Sequence, residues 1–454
     1  LDKIFADKAL GRTIIAVRVI DVESNNVLYS VRAAEPMIPA SVAKLVTTAA
    51  AIRTLGDQWK FHTYIGTMGQ DLVVIGGGDP NFSGRFYKGD PVGAFRRWAR
   101  VFRRRKITHI RGRLVLDDSA FEPAGPHPNW PPDQRQLWHE APAGALCLND
   151  NCIDVTAAPG ERAGDAARIS ISPLTKFFHV SGRVITTANR KEHRYSLERL
   201  AGEPAIFVSG KIWLKAQPVS YFRTVADPTA FFGAVLKETF AKEGVRIDGP
   251  VARIRLLGET GKPPNSFRPV VVHTSNLMQT VAVTNKRSQG LYAECILKAM
   301  AAYATGKEGA EWPQTQGNWN AGRDALEAFS AKERLAVEGC VFDDGSGLSR
   351  QNRLTANYVT ELLRMMYRRH GLRWRDTLSI AGVDGTLRGR MRGTAAEGQV
   401  FAKTGYVRGV STIAGYARTR SGRVLAFAIL MNRTNSLWRA RRAQDAACTA
   451  LAEH

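Results

Sequence analysis

Two short motifs at opposite ends of the chain constrain its fold more than any other feature. Ser41-Val42-Ala43-Lys44 opens a helical pattern near the N-terminus, and Lys403-Thr404-Gly405 lies in a strand-like run near the C-terminus of the 454 residues. Each motif alone is common by chance, but the two in this order indicate a serine acyl-transfer site. Both ends of the chain must then pack into one domain.

The spacing of Ser41 and Lys44 suits a nucleophile and its base. Residues three apart lie on one face of a helix, so the hydroxyl and the amine can touch. A serine hydroxyl needs an adjacent base, and an amine serves when desolvation lowers its pKa. The apolar neighbours that would bury this lysine are Leu45, Val46, Ala49 and Ala50. Alone, the motif favours an ordinary buried helix with one surface lysine.

The C-terminal motif is suited to holding a substrate. Two more strand-like runs come after it, at 410–417 and 424–431. We therefore expect the triplet on the edge of an antiparallel sheet. Lys403 offers a cation and Thr404 a hydroxyl to a carboxylate, while Gly405 lets backbone approach the reacting carbonyl. The amides of Ser41 and Tyr406 would form the oxyanion hole. The alternative is that the triplet is merely a solvated strand end. We favour a substrate-binding strand over this alternative only because both motifs occur together.

Six blocks of sequence carry a resemblance that runs nearly end to end. They lie at 39–45, 75–80, 117–121, 344–350, 382–388 and 403–405. In this order they resemble the D-alanyl-D-alanine carboxypeptidase/endopeptidases of the penicillin-binding protein 4 type, peptidase family S13. The resemblance implies an α/β fold, with a penicillin-binding/transpeptidase-like (serine β-lactamase-like) domain and a large β-rich insertion.

The resemblance also implies a serine D,D-peptidase that acts on peptidoglycan stem peptides. Ser41 would attack a D-Ala-D-Ala or D-Ala-diamino-acid bond to give an acyl-enzyme, and Lys44 would take its proton. Ser288 would pass a proton to the leaving group, and Lys403 with Thr404 would hold the terminal carboxylate. β-Lactams would be covalent ligands. Neither a metal nor an organic cofactor is implied.

The third motif of this family, S-x-N, is incomplete in this chain. The matching residues are Ser288, Gln289 and Gly290, so the serine is kept and glycine replaces the asparagine. In the family that asparagine amide hydrogen-bonds the lysine of S-x-x-K and the substrate carbonyl. A catalytically weakened peptidoglycan-binding protein of the same fold is therefore the alternative to an active peptidase.

Three further residues are implied to form the substrate pocket. Asp117 matches the acidic residue that contacts the diamino-acid side chain, Phe121 lies beside it, and Arg350 matches an arginine that helps close the pocket. Asp117 could instead cap a turn after its strand. Arg408 stands where some relatives have a polar amide, which leaves the pocket specificity open.

The motif order predicts a discontinuous catalytic domain, at 1–60 and 270–454. The predicted hairpin strands of this domain lie at 14–21 and 27–31, and its predicted helices at 277–303, 318–332 and 356–370. Residues 61–88 and 166–269 would form an inserted β-rich domain. Residues 89–165 would be a subdomain nested in the insertion, because a basic helix and a Pro-rich stretch set them apart.

The charge of the chain restricts its partners. The 64 basic and 41 acidic side chains leave a formal charge of +23, so we expect an anionic partner such as a cell-wall polymer or a membrane surface. Basic residues are concentrated at 96–106, where apolar residues recur at helical spacing. This pattern predicts an amphipathic helix with a solvated basic face. No nucleic acid is expected, although a nucleic-acid binder remains the third functional class.

The chain begins at Leu1 and has no apolar run of the ~18 residues that a membrane span needs. We expect an exported, periplasmic or cell-envelope protein whose signal peptide has been removed. The five cysteines show no metal-ligand spacing. Cys147 and Cys152 could pair across a short loop after export, and a reduced pair is the alternative.

Overall fold

The computed structural model describes residues 1–258, 261–304 and 309–454. The α-helices in these ranges are α1 Asp2–Phe5, α2 Ala43–Leu55, α3 Gly93–Arg104, α4 Pro228–Lys242, α5 Leu277–Arg287, α6 Gly290–Tyr303, α7 Trp319–Lys332, α8 Ala356–Arg375 and α9 Leu437–Glu453. The β-strands are β1 Ile14–Asp21, β2 Val27–Val31, β3 Lys60–Met68, β4 Asp71–Gly76, β5 His109–Ile110, β6 Leu114–Asp117, β7 Cys152–Ala158, β8 Arg168–Ser172, β9 His179–Thr187, β10 Arg194–Arg199, β11 Ala205–Trp213, β12 Val219–Thr224, β13 Arg246–Ile247, β14 Val251–Arg253, β15 Arg268–Asn276, β16 Ser379–Ile380, β17 Val400–Val407, β18 Val410–Arg418 and β19 Val424–Asn432. None of the helices described is long and apolar enough to cross a membrane.

A six-stranded antiparallel sheet joins the two ends of the chain. Its order is β16-β17-β18-β19-β1-β2. Ile14 pairs with Asn432 and Asp21 with Leu425, so the N-terminal hairpin extends the sheet of the C-terminal strands. The short β16 pairs with β17 as far as Ala402. The strand that carries Lys403 therefore lies near the edge of the sheet, as its pattern predicts.

Helices cover both faces of this sheet. Successive side chains of a strand point to opposite faces, so each strand contributes to two cores. In β18, Ile413 packs in the cluster that contains α9, whereas Ala414 packs in the cluster that contains α2 and α8. The result is a three-layer α/β domain in which α2 starts at the sheet edge near β17.

The predicted helix at 277–303 is two helices. α5 ends at Arg287, and Ser288 has a left-handed backbone with φ 58° and ψ 35°. Gln289 is extended and α6 begins at Gly290. Apolar spacing continues across the break, which is why periodicity does not reveal it. The break places the Ser288 side chain at the sheet edge.

The inserted region combines pairs of strands that are close in sequence, such as β3 with β4, and pairs that are distant, such as β3 with β15. A five-stranded sheet has the order β14-β6-β4-β3-β15, and α3 and α4 pack against it. Two three-stranded sheets, β12-β7-β8 and β10-β11-β9, complete the region, together with the small β13-β5 pair.

The predicted subdomain at 89–165 is not a structural unit. β6 lies within this range but pairs with β4 and β14, which lie outside it. β7 also lies within it and pairs with β8 and β12. A Pro-rich stretch marks only the connection between β6 and β7, because composition reports loops and not the distant partners of a strand. The boundaries at 89 and 165 therefore cut through two sheets.

All five cysteines are free thiols. The Sγ atom of Cys147 lies 3.8 Å from that of Cys295 on α6, and both side chains are fully buried. The neighbour of Cys147 is thus a residue distant in sequence, and the pairing with Cys152 considered from the sequence is not formed.

Candidate active site

Ser41 and Lys44 form a hydrogen-bonded pair at the start of α2. A 3-10 turn at Ala40–Val42 leads into the helix and leaves Ser41 half-buried in the wall of a cavity. Lys44 Nζ donates to Ser41 Oγ over 3.0 Å and to the carbonyl of Ser346 over 2.6 Å. The amine is thus fixed beside the hydroxyl that it can deprotonate.

Burial sets the protonation of Lys44. Its side chain is 2% exposed. Desolvation lowers its pKa to about 8, although the negative charges of Asp344 and Glu294 oppose the shift. An amine with this pKa is partly neutral near neutral pH, so Lys44 can accept a proton.

Two buried carboxylates hold the loop that contacts Lys44. Glu294 on α6 accepts hydrogen bonds from the amides of Gly345 and Ser346, at 3.0 and 2.8 Å. Asp344 accepts from Trp130 Nε1, the amides of Gly347 and Ser349, and Asn352 Nδ2. Because both buried carboxyl groups are hydrogen-bonded, the Ser346 carbonyl is held rigidly toward the lysine.

A second lysine–serine pair lies near the first. Lys403 on β17 is fully buried, and its Nζ donates to Ser288 Oγ over 2.7 Å and to the Thr404 carbonyl over 2.6 Å. Burial, and then the charge of Lys44, lowers the pKa of Lys403 well below its usual value. Lys403 is absent from the residues that line the cavity. Lys403 is thus linked to the cavity through Ser288, and its direct contact with a substrate carboxylate stays a prediction.

The strand β17 lies directly against the Ser41 turn. A Cβ atom at Gly405 would overlap Thr412 Oγ1 and lie 2.9 Å from the backbone nitrogen of Ser41. Glycine therefore permits the close approach that an oxyanion hole between the two segments requires. Thr404 Oγ1 donates to Thr386 Oγ1 over 2.8 Å, and both hydroxyls line the cavity with Tyr406.

The cavity that these groups share has a volume of about 690 Å³. Its wall carries three cationic side chains, Arg287, Arg390 and Arg441. These suit an anionic group on the substrate. The inserted region contributes Gln134, Trp138 and His139. Among the described residues, no group of three or more His, Cys, Asp or Glu side chains is placed to hold a metal ion.

The inserted region lies against Gly290. A Cβ atom at this position would lie 3.0 Å from the backbone oxygen of His139, so the two segments would have to move apart by a few tenths of an ångström to admit a side chain. Gly290 is the first residue of α6 and has an ordinary helical backbone. Because Gly290 has no side chain, the backbone of His139 can pack closely against the start of α6.

Asp117 does not face the cavity. Its side chain is fully buried, one carboxylate oxygen accepts from the amide of Ser119, and the other accepts from the amides of Leu256 and Leu257. This placement contradicts the expected contact with substrate. Asp117 instead holds two chain segments together at the end of β6, as the turn-capping alternative predicts.

Phe121 also differs from expectation, whereas the predicted role of Arg350 in closing the pocket stays a prediction. Phe121 is buried in the core, where its ring occupies the space that a side chain on Gly78 would need. Arg350 is exposed, and its Nη1 donates to the carbonyl of Arg408 over 2.8 Å. Arg350 therefore ties the 344–350 loop to the turn after β17, whereas Phe121 supports the fold.

Several residues of the site escaped sequence analysis. Asp344 and Ser346 lie in a block noted only for its resemblance, and Glu294 comes after the third motif closely enough that a buried acidic residue could have been suspected. Gln134 and His139 come from the Pro-rich connection and carry no motif. Their place at the site depends entirely on how the insertion folds back.

The fold and these two lysine–serine pairs define an active-site-serine acyl-transfer enzyme of the penicillin-recognising type. The model of the D-Ala-D-Ala carboxypeptidase 3 (S13) family matches residues 1–453, and the chain belongs to this family. The predicted family and the predicted serine D,D-peptidase function are thereby confirmed.

Individual relatives agree with this assignment. The chain is 31% identical over 453 residues to a D-alanyl-D-alanine carboxypeptidase of Actinomadura sp. (strain R39), covering 95% of this chain and 80% of the relative. Its fold is similar to that of penicillin-binding protein 4 from Haemophilus influenzae, with a TM-score of 0.82, 22% identity and 98% of both chains covered. A structure of that protein complexed with a β-lactam gives a TM-score of 0.75, at 21% identity and with 100% and 99% of the two chains covered. The predicted fold class is confirmed.

Proposed function

We propose that Ser41 is the nucleophile that cleaves the terminal D-Ala-D-Ala bond of peptidoglycan stem peptides. The observation that carries this assignment is the 3.0 Å hydrogen bond from the buried Lys44 amine to Ser41 Oγ. Neutral Lys44 takes the hydroxyl proton as Oγ bonds to the carbonyl carbon. The amides of Ser41 and Tyr406 receive the negative charge that develops on the carbonyl oxygen.

The second lysine–serine pair serves the leaving group. As the C–N bond breaks, the departing amine of D-alanine takes a proton from Ser288 Oγ, and Ser288 receives in turn the proton that Lys44 took from Ser41, while Lys403 donates a hydrogen bond to Ser288 Oγ. Water then hydrolyses the Ser41 ester and frees the shortened peptide. The terminal carboxylate is held by the hydroxyls of Thr404 and Thr386 and by the cationic cavity wall.

β-Lactams are the expected covalent ligands of the same serine, because the relative from Haemophilus influenzae has been solved with one. The enzyme acts in the cell envelope, where peptidoglycan lies. The alternative of a catalytically weakened binding protein finds no support in the matches to known proteins.

The purified protein is expected to release D-alanine from a stem peptide that ends in D-Ala-D-Ala. Because Lys44 must be neutral to act as base, the rate should rise with pH and level off above about pH 8, the pKa of that amine. D-Alanine is measured over a pH series, with a peptide ending in D-Ala-L-Ala as control. A protein that releases no D-alanine at any pH, yet binds the peptide, would support the binding-protein alternative instead.

The basic helix α3 is a candidate contact for anionic cell-wall polymers. Arg96 is paired with Asp90 and Glu243, whereas the three arginines at its C-terminal end are exposed: Arg103, Arg104 and Arg105. Binding to isolated sacculi should weaken between low and high salt, because exposed charges are screened over about 10 Å at 0.1 M. Replacing the three with glutamine should weaken binding at low salt and leave penicillin labelling unchanged.

The matched control replaces three exposed arginines of the insertion with glutamine, Arg162, Arg168 and Arg183. It changes the net charge equally, so equal losses in both triple variants would assign the effect to overall charge and not to α3. Binding that does not respond to salt would remove the electrostatic contact altogether.

A further inference from the structure

The segment 134–140, whose residue His139 packs against Gly290, is held in place by hydrogen bonds to the rest of the inserted region. The carbonyls of Arg135 and Gln136 accept hydrogen bonds from the Thr224 hydroxyl and amide, at 2.6 and 3.1 Å. The short helix Trp138–Glu140 comes next, and Glu140 is almost fully buried. This anchoring on β12 fixes the position of His139 relative to α6.

The ring of His139 is oriented by Gln134. The Nε2 atom lies 3.0 Å from Gln134 Oε1, which can only accept, so Nε2 carries the proton of the neutral ring. The Nδ1 atom is then an acceptor, and the hydrogen bond to Gln134 does not involve it. His139 lines the same cavity as Ser41, Lys44 and Ser288.

The charges around this ring favour its neutral form. Burial, and then the charge of Lys44 on α2, lowers the pKa of His139. Arg287 of α5, Arg390 and Arg441 of α9 line the same cavity, and burial raises the pKa of Glu140, the next residue in the chain, to about 7. At neutral pH the ring therefore offers a hydrogen-bond acceptor beside the nucleophile and its base.

We propose that His139, oriented by Gln134, is the substrate-binding residue that takes over the polar contact which Gly290 cannot make. Its Nδ1 accepts a hydrogen bond from a peptide N–H in the acyl part of the substrate and so positions the scissile carbonyl over Ser41. The contact comes from the insertion and not from the third motif. This assignment rests on the function proposed above.

The experiment measures the acylation rate of the full chain by benzylpenicillin, whose side-chain amide provides the N–H, in stopped flow. His139→Ala should lose about tenfold, the order expected for one hydrogen bond. His139→Asn, which keeps an acceptor, should remain within about threefold of wild type. The matched control is His179→Ala, an exposed histidine of β9, which should acylate at the wild-type rate.

The pH profile separates a substrate contact from a merely structural role. If Lys44 and His139 must both be neutral, the logarithm of the wild-type rate rises with a slope of one below about pH 8 and steepens to two below the pKa of His139. In His139→Asn the slope should stay at one. If the melting temperature shows that His139→Ala is unstable, the pH profile of His139→Asn alone tests the proposal.

Two results would overturn the proposal. One is a stable His139→Ala that acylates as fast as wild type, and the other is an acid limb that stays steep in His139→Asn. Either result would leave the proposed function intact as long as wild type forms the adduct. A wild-type protein that forms no adduct would instead remove the function itself.

Discussion

Ser41→Ala is expected to abolish the covalent adduct that penicillin forms with this protein. The strained lactam presents a carbonyl in the position of the D-Ala-D-Ala bond, and without Oγ no ester can form. Loss of a catalytic serine typically lowers turnover about a millionfold. Intact-mass measurement after incubation with benzylpenicillin should show the added mass in wild type and none in the variant.

Lys44→Ala should abolish the adduct as well, because no other amine donates to Ser41 Oγ in the part of the chain that is described. Ser266→Ala, at an exposed serine of the insertion, is the control and should label fully. An adduct that persists in Ser41→Ala would show that another residue is acylated and would move the nucleophile elsewhere.

Gly405→Ala is expected to lower the acylation rate about a hundredfold while the protein stays folded. The added methyl group would overlap Thr412 Oγ1 and lie 2.8 Å from the Pro39 carbonyl and 2.9 Å from the Ser41 nitrogen. Strand and turn must move apart, and a displacement of about 1 Å in a catalytic group can cost about a hundredfold. Stopped-flow acylation and the melting temperature measure the two effects separately.

Gly125→Ala is the matched control, since a Cβ there meets nothing within 4 Å. It should change neither quantity. An unchanged acylation rate in Gly405→Ala would mean that the amides of Ser41 and Tyr406 do not act together on the carbonyl oxygen.

The parts of the site that could be predicted are those fixed by local spacing. Ser41 and Lys44 meet because they are three residues apart at a helix start, and Gly405 stands two residues after Lys403 on one strand. The N-terminal hairpin and the strands at 410–417 and 424–431 could be predicted from alternation and turns. These features depend on neighbours in the sequence.

The parts that could not be predicted depend on contacts between distant segments. Asp117 resembles a substrate contact by its place in a block, yet the amides of Leu256 and Leu257 reach it from far along the chain. The carbonyl of Ser346 reaches Lys44 only because Glu294 holds its loop. His139 enters the cavity because β12 anchors its segment, and no local pattern carries that information.

The pairing of β1 with β19 has a consequence for how this protein is made. Ile14 of β1 pairs with Asn432 of β19, so β1 leaves the ribosome long before its partner β19 has been synthesised. Closing so long a loop is entropically costly, and sheets of this topology fold slowly. Before β1 pairs with β19, the sheet beside Ser41 is incomplete. The apolar edge of β1 is then exposed and can associate with other chains. Because Lys403 and β19 are made shortly before the final helix α9, a nascent chain lacks the second lysine–serine pair until late, and catalytic competence begins only when synthesis is nearly finished.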